Sequence, residues 1–167
     1  MDTLSAVLTA IGNNPGGVTP YYSESEFSMH ELLERLVEMT GPAEVKVSSF
    51  SITEVAIRTF LRLIDDHLIM GLRCIFDRSV KMHHIGLHLF ALNVTTGIAL
   101  TKNHAKIILI QNENWKVTVI SSANLNVNDK IEAGIISGDP EIFDFYHRKF
   151  EDTFEKSIIL DSDDYNP

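Results

Sequence analysis

The chain has 167 residues, 44% of them apolar, and 14 basic against 23 acidic side chains give it a formal net charge of −9. That length supports one core and excludes a second large one. The acidity argues against tight non-specific DNA binding, which needs a basic face, yet it leaves room for a small basic site because salt screens charges beyond roughly 8 Å.

The first 27 residues carry weak signals. Met1 to Ala10 suits a short helix, and Asn13-Asn14-Pro15-Gly16-Gly17 marks a loop. No Lys or Arg occurs in this stretch, so it lacks the basic region of a secretory signal and a cytoplasmic location is expected. Ser28-Met29-His30-Glu31 is a capping box ahead of Leu32, Leu33, Leu36 and Val37, and Gly41-Pro42 ends that helix. Glu44 to Phe50 alternates as a strand, with Val45 and Val47 on one face. Ser51-Ile52-Thr53-Glu54 reads as a second capping box, behind which Ala56, Ile57, Phe60, Leu61 and Ile64 keep helical spacing to Asp66. Leu68 to Asp77 is nearly all apolar, as a central strand would be. Cys74 within it reads as a small buried hydrophobe. As the one cysteine, it excludes an intrachain disulfide and a cysteine-based zinc site.

Ser79 to Asn93 reads as a helix of mixed character and Val94 to Thr101 as a short strand. A strand starting at His104, a hairpin to Val117–Ile120 and a strand holding Glu132 follow. Asp139-Pro140-Glu141 combines an N-cap, a first-turn proline and a first-turn acid. The helix behind it sets Ile142, Phe143, Tyr146, Phe150 and Phe154 on one side. Ser157 to Pro167 reads as a frayed tail. No stretch reaches the roughly 20 apolar residues of a membrane span. The alternation of strands and helices predicts an α/β fold, a mixed β-sheet flanked by helices on both faces. The expected organisation is an N-terminal segment (1–27), a folded domain (28–157) and an acidic tail (158–167).

The chemistry concentrates between Asn103 and Ile136. Side chains two apart on a strand share a face, so His104 and Lys106 point the same way, and Ser122 and Asn124 repeat that spacing after the next strand. With Glu132, they make a site for a phosphodiester at strand ends. At these residues the chain resembles the phospholipase D superfamily, whose pattern is H-x-K, four residues, D, six residues, G-S-x-N and a later carboxylate. His104-Ala105-Lys106 supplies H-x-K, Ser122-Ala123-Asn124 supplies S-x-N, and Glu132 stands for the carboxylate. Gln111 occupies the Asp position, Ser121 replaces the Gly, and the turn Asn112-Glu113-Asn114-Trp115-Lys116 lengthens the spacing.

The resemblance implies a phospholipase D-like lobe over about residues 28–155. It implies that His104 attacks phosphorus to form a phosphohistidine, which needs a neutral imidazole with one nitrogen free and the other donating to a carboxylate, here Glu132. Lys106 would neutralise the non-bridging oxygens, while Asn124 and Ser122 would donate to them. Each residue also has a plain reading: an exposed loop histidine, a strand-edge lysine, and turn formers in Ser121–Asp129, where Asn126 is structural. Arg78 and Lys81 follow a central strand, where they either contact a polyanionic substrate or belong to a solvated loop.

No metal or cofactor is implied. His84 and His88 are four apart but lack a third ligand, so they, with His83, read as helix-surface or groove-lining side chains. Trp115 reads as packed under the hairpin rather than as a stacking platform. The resemblance implies two H-x-K motifs per site, and His147-Arg148-Lys149 falls in a helix with no S-x-N after it. A homodimer would supply the second His104. The expectation is a metal-independent phosphodiesterase, with nucleic acid favoured over phospholipid as substrate. The alternative is a degenerate, non-catalytic domain that holds a phosphate or a protein partner.

Overall fold

The computed structural model of the protein describes residues 2–80, 97–127 and 129–159. Eight strands form one mixed sheet: β1 (Val18–Glu24), β2 (Ala43–Ser49), β3 (Ile69–Asp77), β4 (Gly97–Thr101), β5 (Ile107–Gln111), β6 (Lys116–Ser121), β7 (Ile131–Ser137) and β8 (Ile158–Ile159). Their spatial order is β1-β7-β6-β5-β2-β3-β4-β8. The strands β2, β3 and β4 are parallel, and every other neighbouring pair is antiparallel. One end of the sheet therefore gathers the carboxyl ends of β1, β2, β3, β4 and β6 and the amino ends of β5 and β7.

The helices divide between the two faces. On one lie α1 (Thr3–Asn13), α2 (Met29–Thr40) and α3 (Glu54–Asp65); on the other lies α4 (Pro140–Glu155). Leu32, Leu33, Leu36 and Val37 of α2 are fully buried against Val45, Val47, Leu72 and Cys74, each contributing about 1.5–3 kcal/mol. Cys74 is wholly enclosed, and burial pushes its thiol pKa up. Phe143 and Phe150 of α4 pack on Ile75, Ala99 and Leu109. The same face carries an ion-pair cluster. Glu151 accepts from Arg73 and lies 2.5 Å from Lys46 Nζ, and Lys46 stands 2.9 Å from His147 Nδ1.

The capping box at Ser28 and Glu31 forms, and Gly41 ends α2 at φ 79°, a left-handed conformation that favours glycine. Asp139 caps α4 as expected. The second capping box does not form. Thr53, not Ser51, is the N-cap of α3, and its hydroxyl donates to the Leu125 carbonyl, so a long-range contact takes the group that the local motif needed. The strand expected from His104 begins at Ile107, and His104–Lys106 is an irregular lead-in to it. Asp77 to Val80 make a turn closed by Val80 N–H on Asp77 O; the rest of the helix expected to Asn93, with Lys81, His83, His84 and His88, lies outside the described residues. The N-terminal segment supplies α1 and β1, and β1 pairs with β7 along its whole length. Of the expected tail, Ile158 and Ile159 pair with β4.

Candidate functional site

The chemistry-bearing residues collect at the sheet end defined above. His104 and Lys106 enter β5 there, and Lys106 is joined to β6 by a bond from Ser121 N–H to its carbonyl. His104 is exposed and Lys106 half-buried. The Lys106 ammonium curls back, donating to the His104 carbonyl at 2.9 Å and standing 3.2 Å from Nδ1 of its ring. The ring also lies against Phe50, centroid to centroid 5.3 Å. An ammonium only donates, so Nδ1 is the acceptor and the neutral imidazole carries its proton on Nε2.

Ser122 and Glu132 form a second pair. The Ser122 N–H donates to the Ala133 carbonyl, its Oγ accepts from the Ala133 N–H, and its hydroxyl donates to Glu132. Asn124 turns its side-chain carbonyl to β2, accepting from Phe50 N–H at 3.2 Å and from the Ser49 hydroxyl at 3.4 Å. That bond fixes the loop after β6 to the end of β2. Asn126 exchanges bonds with Ser51, in keeping with the structural role expected of it. Arg78 follows β3 at the same sheet end, where its N–H donates to Thr101 O. Trp115 packs its side chain on the core. The five motif residues thus arrive as two bonded pairs, His104 with Lys106 and Ser122 with Glu132, plus Asn124 tied to β2.

Sequence reasoning passed over three residues. Asn103 bridges the ends of β2 and β3 through its side chain. Phe50 touches the His104 ring. Tyr21 of β1 is buried and donates to Ser121 Oγ at 2.7 Å. Burial, and then the negative charge of Glu132, hold the Tyr21 pKa above its ordinary value. The run Ser48-Ser49-Phe50-Ser51 at the carboxyl end of a parallel strand was the available signal for the first two. Nothing local marks Tyr21, whose partner lies 100 residues away.

Among solved structures, the phospholipase D family member Nuc from Salmonella typhimurium superposes with a TM-score of 0.65 at 14% identity, covering 86% of this chain and 97% of that one. NucT from Helicobacter pylori gives 0.64 at 14% identity, over 86% and 99%. The chain has the phospholipase D/nuclease-superfamily fold. The phosphatidylserine synthase of Haemophilus influenzae Rd KW20 matches at 0.60 and 11% identity over 86% of this chain and 40% of its own. No family sequence model matches the chain, and no curated protein matches it.

On that fold, the departures from the superfamily pattern have definite places. Gln111 closes β5 at the end remote from His104, between Glu44 and Lys116. Ser121 uses its hydroxyl to accept from Tyr21 and from Ala123 N–H. Gly134 faces Ser121 across β6–β7, and a Cβ there would stand 2.7 Å from the Tyr21 ring and 2.3 Å from Ile120 O. The serine, the glycine and the tyrosine fit together as a unit. Among the described residues, no three His, Cys, Asp or Glu side chains are grouped to hold a metal ion. Nor is any described helix long and apolar enough to cross a membrane.

Proposed function

We propose that the protein is a metal-independent phosphodiesterase, nuclease-like, working through a phosphohistidine in a site shared by two copies of the chain. The observation that carries this reading is the His104–Lys106 pair, a potential nucleophile and a cation 3.2 Å apart on an exposed sheet end. In one copy, Nε2 of His104 attacks phosphorus and a P–N bond forms as the bond to the leaving oxygen breaks. His104 of the second copy gives that oxygen a proton. Water then attacks the phosphohistidine, losing its proton to the second histidine and returning the first nitrogen.

Attack needs Nε2 bare, whereas the Lys106 contact places the proton there. A phosphate would draw the ammonium off Nδ1, letting the proton settle on Nδ1 and freeing Nε2. Glu132, already bonded to Ser122, is the carboxylate to receive it. Lys106 would then offset charge on the non-bridging oxygens, with the Asn124 amide and the Ser122 hydroxyl as further donors. Arg78 at the same sheet end extends the positive charge along a polyanion. The overlap with nearly the whole of the Nuc and NucT chains, against 40% of the synthase, supports the nuclease-like reading over a lipid-directed one.

The net charge of −9 favours a second reading, a domain that holds phosphate without turning it over. Mass spectrometry of protein quenched during turnover of a phosphodiester decides between them. An acid-labile, base-stable phosphate on His104 supports the enzyme; saturable phosphate binding with no such adduct supports the binding domain.

A further inference from the structure

We propose that Asn103 is the positioning residue of the H-x-K segment, holding His104 and Lys106 in place from the ends of the two parallel strands. This rests on the reading of His104 and Lys106 as the reacting pair. Before Ile107 that segment has no strand ladder; its ties are the bond from Ser121 N–H to Lys106 O, the Ser48 hydroxyl on Ala105 O at 3.4 Å, and Asn103. Asn103 acts through its side-chain amide and its backbone N–H. The two hydrogens of its Nδ2 are shared among three acceptors, Ser48 Oγ at 3.0 Å, Ser49 O at 3.0 Å and Ile75 O at 3.3 Å. Its Oδ1 accepts from Ala105 N–H at 3.1 Å, across His104. Its own N–H donates to Asp77 Oδ2 at 2.9 Å, while the other oxygen of Asp77 accepts from Ser79 N–H.

The amide orientation is unambiguous, because a flipped amide would set its oxygen against two backbone carbonyls. Ser48 and Ser49 close β2, and Ile75 and Asp77 lie in the last turn of the ladder of β3, which pairs Ser48 with Ile75. Asn103 therefore ties the residue before His104 to two strands at once, and its oxygen ties the residue after. A side chain without both donor and acceptor loses the bonds to both strands or the bond to the loop. The neighbouring His104 ring lies against Phe50 and Lys106. Its aim follows the backbone that Asn103 sets, and a displacement of about 1 Å at a reacting group costs up to a hundredfold in rate.

The test compares the full-length wild type with Asn103→Ala, Asn103→Asp and Ile110→Ala, the last a core truncation in β5 away from the loop. The first readout is the ring nitrogen spectrum of His104, identified by its loss in His104→Gln. Wild type and Ile110→Ala should show a single Nε2–H tautomer, and both Asn103 variants the averaged signals of a free imidazole. The second readout is hydrolysis of a dye-linked phosphodiester at a temperature where all variants are folded. The Asn103 variants should lose about ten- to a hundredfold in kcat with KM changed less than about threefold, and Ile110→Ala should keep its kcat. A wild-type ring spectrum in Asn103→Ala, full activity in Asn103→Asp, or an equal kcat loss in Ile110→Ala would overturn the proposal. If the wild type shows no turnover, the enzymatic reading falls, and the ring spectrum alone still decides the role of Asn103.

Discussion

Lys106 and Gln111 stand at opposite ends of one strand: Lys106 leads into β5 and Gln111 closes it, five residues and roughly 17 Å further on. The largest departure from the superfamily pattern is thus remote from the histidine. Gln111→Asp is expected to leave phosphodiester turnover within about twofold of wild type. It would also put a carboxylate opposite Glu44, so a small loss of stability is the effect to look for, by urea denaturation beside the kinetics. A tenfold gain in turnover would mean that position 111 reaches the site.

Lys106 holds its ammonium 3.2 Å from Nδ1 of the His104 ring. Lys106→Met keeps the apolar stem and removes the charge, and should lower kcat by about 10²–10³, the usual cost of one preorganised donor to a developing anion. Steady-state kinetics checks this. A change confined to KM would make Lys106 a binding group only.

The Tyr21, Ser121 and Gly134 unit makes a stability prediction. Tyr21→Phe should cost about 1 kcal/mol through the lost bond to Ser121. Gly134→Ala, whose Cβ meets the Tyr21 ring and the Ile120 carbonyl, should cost about 1–3 kcal/mol. Urea midpoints measure both. If Gly134→Ala is harmless in wild type, the close approach is not what keeps a glycine there.

His30 gives the fold a pH dependence. It is buried at 4% exposure in α2, Nδ1 has no hydrogen-bond partner among the described residues, and burial holds its pKa below the ordinary value against the pull of Glu31 and Glu34. Between the folded value and about 6.5 the unfolded chain binds more protons, so stability rises with pH. The contribution of His30 is complete above about pH 6.5 and is lost as pH falls through the lower, folded value. The urea midpoint should therefore drop between about pH 7 and 5, and His30→Leu should flatten that drop. An unchanged slope in the variant would contradict the assignment.

Much of the fold was legible because its signals are local. The Ser28 box, Gly41, the apolar run of β3 and the Asp139 cap each depend on neighbours within a few residues. The strand β1 escaped notice because Pro20 interrupts its alternation, a feature that suits an edge strand. At the candidate site, strand spacing paired His104 with Lys106 and Ser122 with Asn124, and the resemblance to the superfamily pattern added Glu132. Asn103, Phe50 and Tyr21 were not found, since each acts through partners brought together by the sheet rather than by sequence. The Ser51 capping box failed for the same reason, because Thr53 found a better acceptor at Leu125.

A chain with one H-x-K segment in this position needs a second copy for the two-histidine reaction. Sedimentation equilibrium at micromolar concentration should give a dimer. A monomer that still forms the phosphohistidine would require a different proton donor.

The central claim is tested most directly by hydrolysis of single-stranded DNA, plasmid DNA and a dye-linked phosphodiester in EDTA, with wild type and His104→Ala side by side. The expected result is turnover that survives EDTA and disappears in the variant. Turnover that EDTA abolishes, or that His104→Ala retains, would contradict the histidine mechanism.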